Sequence, residues 1–301
     1  MSLCFKRLRF LFVAVLFAFI SNAQQNHTGI EIPAHQANEK LISHAGYTLS
    51  YNEKYEQANW VAYELTSAET NSIYNRTNKF LIDPKVITGS AENSDYAGSG
   101  YDRGHLAPAG DLGWSAQSMI ESFYYSNMSP QVPSFNRGIW KNAESFTREA
   151  AIVNNAIYVV TGPVFTSNMT TIGPNKVAVP HSYYKVILDY LEPELKAIAF
   201  VIPNQASQLP LKYFAVSIDD VEQLTGLDFF PLLPDNEESK LESHFDVNLW
   251  SWQNYNHSNK STTSKIKYTS TSVQCSGTTK KGERCKRMTK DSSGKCAQHQ
   301  N

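Results

Sequence analysis

A change of composition near residue 252 is what most constrains the fold of this chain. From Trp252 to Ser272 it consists of Ser, Thr, Asn and Lys with almost no apolar residue, a linker composition that offers nothing to pack. A folded body must be built before that point, and anything that folds after it has only residues 273–301. Cysteine follows the same division, since Cys4 lies near the N-terminus while Cys275, Cys285 and Cys296 all fall in the last 27 residues. The body therefore rests on its hydrophobic core and not on disulfides, and a hydrophobic content of 41% is ample for that. Three thiols in the tail cannot all pair within one chain.

The N-terminus reads as a signal peptide over residues 1–23. Lys6, Arg7 and Arg9 precede an apolar run from Phe10 to Ile20, and Ser21-Asn22-Ala23 supplies a small-x-small cleavage pattern. The run is 11 residues long, short of the roughly 20 that cross a bilayer, so a retained anchor is the weaker alternative. The expected product is a mature chain starting near Gln24, without a membrane span, exported to a periplasm or beyond the cell. The formal net charge of -1 conceals an asymmetry: residues from Tyr255 onward carry +8, whereas residues 24–254 carry -12. An acidic body does not grip nucleic acid by charge alone, so chemistry on a polyanion would have to come from a local site.

Periodicity places elements along the body. Alternating apolar and polar residues with aromatic enrichment predict strands at 44–51 and 60–65, forming an early antiparallel pair. Asp83-Pro84 and the Gly-, Ser-, Asn- and Asp-rich stretch from Thr88 to Gly100 predict turns and a long loop. Ser115 is a candidate N-cap for a short helix ending at Ser122, and a longer helix is expected over Asn136–Asn155. Ile157–Thr161 predicts a buried strand closed by Gly162-Pro163, and 177–180, 183–190 and 197–202 predict further strands. Ile218–Thr225 predicts a helix stopped by Gly226. The fold class implied is α+β with a mixed, largely antiparallel sheet over about residues 30–245, followed by a linker at 252–272 and a basic module at 273–301.

The chemistry concentrates in Tyr101-Asp102-Arg103-Gly104-His105-Leu106-Ala107-Pro108. Downstream come Asn127-Met128-Ser129-Pro130-Gln131, then Phe135-Asn136-Arg137-Gly138-Ile139-Trp140, with Glu144 eight residues beyond Asn136. A lone histidine after glycine is ordinarily a loop residue, but these partners at these spacings change that reading. The set closely resembles the DNA/RNA non-specific endonucleases of the ββα-metal (His-Me finger) superfamily. The likeness runs roughly from Trp60 to Pro231 and includes Thr161-Gly162-Pro163, Val177-Ala178-Val179-Pro180 and Ile202-Pro203-Asn204.

The resemblance implies a Mg²⁺-dependent nuclease acting on DNA and RNA. It makes His105 the general base, Asn136 a direct Mg²⁺ ligand, Glu144 a holder of metal-bound waters and Asn127 an orienting residue. Arg76 is the counterpart of an arginine that steadies the phosphate; Arg103 or Arg137 could take that substrate-binding role instead, while Asp102 and Arg103 are read as bracing the motif. These residue types suit the reaction. Water with a pKa near 15.7 needs a base at neutral pH, and an ordinary histidine, with a pKa of about 6.5, is mostly neutral there. Mg²⁺ keeps most of its waters, so one amide oxygen and an outer carboxylate are adequate, and Mn²⁺ suits the same oxygens. On a straight helix Asn136 and Glu144 would lie about 12 Å apart along the axis and some 80° apart around it. His181, in an apolar strand context, reads as structural.

In the tail, Cys275, Cys285, Cys296 and His299 follow C-x9-C-x10-C-x2-H, a donor set that fits a closed tetrahedral Zn²⁺ site. Together with the lysines and arginines around them they resemble short Cys₃His modules, and free or disulfide-paired thiols are the plain alternative. A homodimer is implied by family likeness only, and whether an inhibitor protein exists is not legible in the sequence. The rival functional reading is a secreted nucleic-acid-binding or adhesion protein, catalytically weak, that acts through its basic zinc tail.

Overall fold

The structure is a computed structural model and describes residues 29–252 together with 273–274, 276–278, 285–286, 288–289 and 299. The signal peptide expected at 1–23 and the linker beyond Trp252 lie outside the described residues. The chain separates into two compact units, residues 1–253 and 254–301.

The first unit opens with β1 (Lys40–Ser43), β2 (Thr48–Asn52) and β3 (Gln57–Thr66), then a one-turn α1 (Asn93–Tyr96) and β4 (Asp102–His105). Next come α2 (Ala116–Glu121), β5 (Met128–Gln131), a single turn α3 (Pro133–Phe135) and α4 (Lys141–Asn154). They are followed by β6 (Ala156–Val164), β7 (Thr171–Ile172), β8 (Val177–Ala178), β9 (Ser182–Asp189), β10 (Lys196–Pro203) and β11 (Ala215–Val216). Two helices end the unit, α5 (Ile218–Thr225) and α6 (Asp235–Ser243). Seven strands make one antiparallel sheet in the order β1-β2-β3-β6-β9-β10-β11, while β4 and β5 form a separate antiparallel ribbon.

Alternation along the strands sorts side chains between two layers. Trp60, Tyr158, Tyr184 and Val186 point into a core closed by Ile218 and Val221 of α5, by Phe229, Phe230 and Leu233 of the following loop, and by Leu241 of α6. Residues of opposite parity face α4 and the turns before it: Tyr183 lies 5.6 Å from Trp140 and Phe200 meets Phe146 edge-on at 5.4 Å, centroid to centroid. The α+β class expected from periodicity is the fold observed, and Ser115 caps α2 by accepting a hydrogen bond from the Ser118 amide at 3.0 Å.

Several boundaries differ from the sequence expectation. The segment 44–51 is a turn followed by a strand, since the His44 amide bonds the Tyr47 carbonyl at 2.7 Å and pairing with β1 begins at Thr48. The loop expected at 88–100 contains α1, and α6 has no expected counterpart. β6 continues through Gly162-Pro163 to Val164. Its registered pairing with β3 stops at Thr161, although Asn59 of β3 still lies against Gly162, so the missing N–H of Pro163 breaks no registered pair with β3. The helix expected over Asn136–Asn155 instead starts at Pro133 and passes through a wide π turn, Asn136–Trp140, with Gly138 at φ -110, ψ -111, before α4 begins. The uniform rise per residue assumed for Asn136 and Glu144 therefore does not hold across this stretch.

Candidate active site

β4 ends at His105, and three contacts fix that end. His105 pairs with Met128 of β5, its carbonyl accepts from Trp140 Nε1 at 3.2 Å, and the next amide, that of Leu106, bonds the Asn127 carbonyl at 3.0 Å. Gly104 is required one residue earlier, because a Cβ there would stand 2.1 Å from the Gln131 side chain. The His105 ring packs edge-on to Phe123 at 5.0 Å, and its Nε2 is buried without a hydrogen-bond partner. Burial pulls the imidazole pKa down to about 3, and the nearby charge of Arg76 adds to the shift. The ring is thus neutral at pH 7, with a nitrogen free to accept a proton.

Asn127 is fully buried and its amide is wholly committed. Oδ1 accepts from the Ala107 amide at 2.9 Å, and Nδ2 donates to the carbonyls of Ala107 and Ser122 at 2.8 and 2.9 Å. These bonds tie Asn127 to the backbone two residues after His105. Asp102, at the other end of β4, gathers the second group of site residues. Arg137 donates to it through Nε at 2.8 Å and Nη2 at 2.6 Å, and Asn136 Nδ2 donates at 2.9 Å. Burial opposes ionisation of Asp102, but these bonds and the charges of Arg137 and Arg103 outweigh it and hold the carboxyl below its usual range.

The tie between Asn136 and Asp102 fixes which end of the amide is offered outward. With Nδ2 donating to the carboxylate, Oδ1 is the atom left to accept or ligate. The π turn that carries Asn136 widens the helix where its side chain must leave it, a device that recurs at functional sites. Glu144 sits half-buried in the first turn of α4. Burial pushes its pKa up to about 7; Arg148 opposes this, Asp111 adds to it, and Lys185 and Arg76 also oppose it. An amide oxygen and a carboxylate short of compensation make an all-oxygen donor pair, which fits a hard divalent ion such as Mg²⁺.

The arginines take different places. Arg76 is exposed, donates to Asn78 Oδ1 at 2.7 Å and lies over the Phe123 ring at 5.0 Å, with its charge felt by both His105 and Glu144. Arg103 is held by Tyr125 OH at 3.2 Å and Asn93 Oδ1 at 2.6 Å and stacks over Phe80. Arg137 is bonded to Asp102 but remains largely exposed. His181 is exposed, 3.3 Å from Thr166 Oγ1.

Sequence reasoning missed the layer beneath the site. Asp111 is completely buried and accepts from Tyr63 OH at 2.8 Å and Arg148 Nη1 at 2.7 Å. Lys185, equally buried, donates to Thr161 Oγ1 at 2.6 Å and lies 5.1 Å from the centroid of Trp140, the residue that holds the His105 carbonyl. Signals for both existed. Arg148 follows Glu144 by four positions on one helix face, and a lysine inside Tyr183-Tyr184-Lys185-Val186-Ile187-Leu188 breaks an otherwise apolar strand.

A two-stranded ribbon that ends in a buried neutral histidine, followed by a helix presenting amide and carboxylate oxygens, defines a metal-dependent phosphodiester hydrolase of the ββα-metal class. The chain belongs to the DNA/RNA non-specific endonuclease family, whose profile matches residues 26–236. It is 36% identical over 255 residues to the mitochondrial nuclease EXOG of Danio rerio, covering 76% of this chain and 74% of that one. With mitochondrial endonuclease G of Bos taurus it shares 36% identity, covering 64% and 69% of the two chains, and with a nuclease of Nostoc 34%, covering 66% and 76%. A chain of the solved EndoG/EndoGI complex superposes with a TM-score of 0.62 at 34% identity, covering 65% of this chain and 88% of that one. The protein is a non-specific nuclease that uses a divalent metal, typically Mg²⁺, and takes nucleic acid as substrate. Among the described residues no helix is long and apolar enough to cross a membrane.

Proposed function

We propose that the protein is exported and hydrolyses phosphodiester bonds of both DNA and RNA, with His105 as the general base and a single Mg²⁺ held at Asn136 Oδ1. The observation that carries this reading is the His105 side chain, whose buried Nε2 lacks a partner and whose ring stays neutral at pH 7. That nitrogen takes the proton of the attacking water. Asn127 and Trp140 hold the backbone on either side of the histidine, so the ring needs little reorganisation to act. Asp102 turns Asn136 so that its oxygen faces the ion, and Glu144 orients the ion's hydration shell. When bound, Mg²⁺ supplies positive charge to the phosphate and the leaving 3′ oxygen. Arg76 serves the phosphate from the His105 side, and Arg137, already anchored on Asp102, is the second candidate for that contact. Digestion of plasmid DNA and of RNA with Mg²⁺, repeated with EDTA, tests the reading. Equal cleavage with and without chelator would remove the metal from it.

The tail carries a second part of the proposal, a structural Zn²⁺ on Cys275, Cys285, Cys296 and His299. Cys285 is buried, its amide donates to the Gly277 carbonyl at 2.9 Å, and a Cβ on Gly277 would stand 2.4 Å from His299 Cγ. Gly277 thus lies against both residues, which supports a compact site; Cys275 and Cys296 fall outside the described residues. Cys285→Ser is expected to lower the zinc content of purified protein from one ion per chain, and an unchanged content would rule the site out. Export is tested by N-terminal sequencing of secreted protein for a start near Gln24, and the homodimer by sedimentation.

A further inference from the structure

On the sheet face opposite α4, five carboxylates converge. Asp219 and Glu222 stand three apart on α5, Glu238 and Glu242 four apart on α6, and Asp228 comes from the loop between the helices. One oxygen each of Asp219, Glu222 and Glu242 lie within 4.8 Å of one another, and so do one oxygen each of Asp228, Glu238 and Glu242. Glu242 belongs to both groups. It is only 7% exposed, and its Oε1 is buried without a hydrogen-bond partner. The sole hydrogen bond to any of these carboxylates among the described residues is from the Phe229 amide to Glu222 Oε1, at 2.8 Å.

Like charges at i,i+3 and i,i+4 destabilise the helices that carry them, and a buried carboxylate without a donor costs more. Burial and the surrounding carboxylates of Glu222, Glu238, Asp219 and Asp228 raise the Glu242 pKa to about 8. A buried carboxylate oxygen without a donor, on a side chain clustered with other carboxylates, needs a proton, a water or a cation to satisfy it.

The geometry points to a cation site of calcium size, with Glu242 as the shared ligand that ties α5, the 226–234 loop and α6 to one another. Ca²⁺ takes about six to eight oxygens in flexible geometry and is held by several carboxylates at once, whereas Mg²⁺ keeps most of its waters and takes one or two, so five carboxylates drawn from two helices and a loop suit the larger ion. The same elements supply Phe229, Phe230, Leu233 and Leu241 to the core, so an ion here secures one whole layer of the fold. It is a stabilising site, distinct in residues and in ion from the nuclease centre.

Thermal unfolding of the full chain, stripped of metal and then given CaCl₂, tests this. At a hundredfold excess over Kd, calcium is expected to raise Tm by about 5–10 °C. Glu242→Gln and the double variant Asp219→Asn/Asp228→Asn, both nearly isosteric, are expected to lose most of that rise, with Glu242→Gln keeping its Mg²⁺-dependent cleavage within twofold of the parent. Asn136→Ala, which removes the nuclease-centre ligand, keeps the rise. No calcium response in the parent, or the full response in Glu242→Gln, overturns the proposal. Either result leaves the nuclease reading standing, because that reading is scored by cleavage.

Discussion

The two faces of the main sheet bury acidic groups in opposite ways. Against α4, Asp111, Glu144, Arg148 and Lys185 alternate in sign, and Asp111 is held by a guanidinium and a phenol. Against α5 and α6, Asp219, Glu222, Asp228, Glu238 and Glu242 are all acidic, and among the described residues no basic side chain is ion-paired with them. Under the nuclease centre Asp111 is compensated by Arg148 and Tyr63, and Lys185 lies against Trp140, the residue that holds the His105 carbonyl, with no ion needed. Uncompensated charge on the far side leaves a position that only an added cation or protons can satisfy. One face is preorganised for chemistry and the other is conditional on its solution.

The sharpest way to separate the faces is His105→Ala. Cleavage is expected to fall by about 10²–10⁴ or more, while metal affinity and DNA binding stay near those of the parent. Filter binding beside plasmid digestion reads both, and full activity would refute the role of the histidine. Asn136→Ala should shift the metal requirement instead, raising the Mg²⁺ concentration for half-maximal rate by about 10–100-fold; superimposable titrations would mean that Asn136 is not the ligand.

Stability distinguishes the faces next. Lys185→Met strips a cation from a mixed-sign cluster and is expected to cost about 3 kcal/mol in urea unfolding. Glu242→Gln removes an anion from an all-acidic one and is expected to stabilise the calcium-free protein. If both substitutions move stability the same way, the contrast between the faces is lost.

The smallest effect is in pH. Glu242 has a folded pKa of about 8 against an ordinary 4.5, so its folded form holds the proton more tightly. Its contribution is complete below pH 4.5 and lost as pH rises through about 8, under repulsion from Asp219 and Glu222 on α5, Asp228 in the loop and Glu238 on α6. Calcium-free parent should therefore lose Tm relative to Glu242→Gln across that window. His105 has the opposite sign: its depressed pKa makes stability rise from about pH 3 to 6.5, equally in both proteins, so the difference between them isolates Glu242. A difference that stays flat from pH 5 to 8 would show that the carboxylates do not interact as their spacing implies.

Much of the body was legible in the sequence, for reasons specific to each part. Strand periodicity gave β3, β9 and β10, and the Ser115 cap gave α2, because these depend on neighbours in the chain. The π turn at Asn136–Trp140 was not legible, since Gly138 leaves helical geometry in a context that reads as continuous helix. The continuation of β6 through Pro163 was hidden for another reason. Whether a strand tolerates proline depends on which neighbours flank it at that point, and only the sheet order decides that.

The sequence by itself singled out the candidate residues of the site, because His105, Asn127, Asn136 and Glu144 belong to short motifs whose local order can be read without the fold. It also determined the class of fold, because hydrophobic period is a local property. Tertiary structure alone decided what each of these groups experiences. The lowered pKa of His105, the orientation of Asn136 by Asp102, and the meeting of Glu242 with four other carboxylates all come from contacts between distant segments. Burial and Coulomb interactions depend on distance through space, which the order of residues along the chain does not contain.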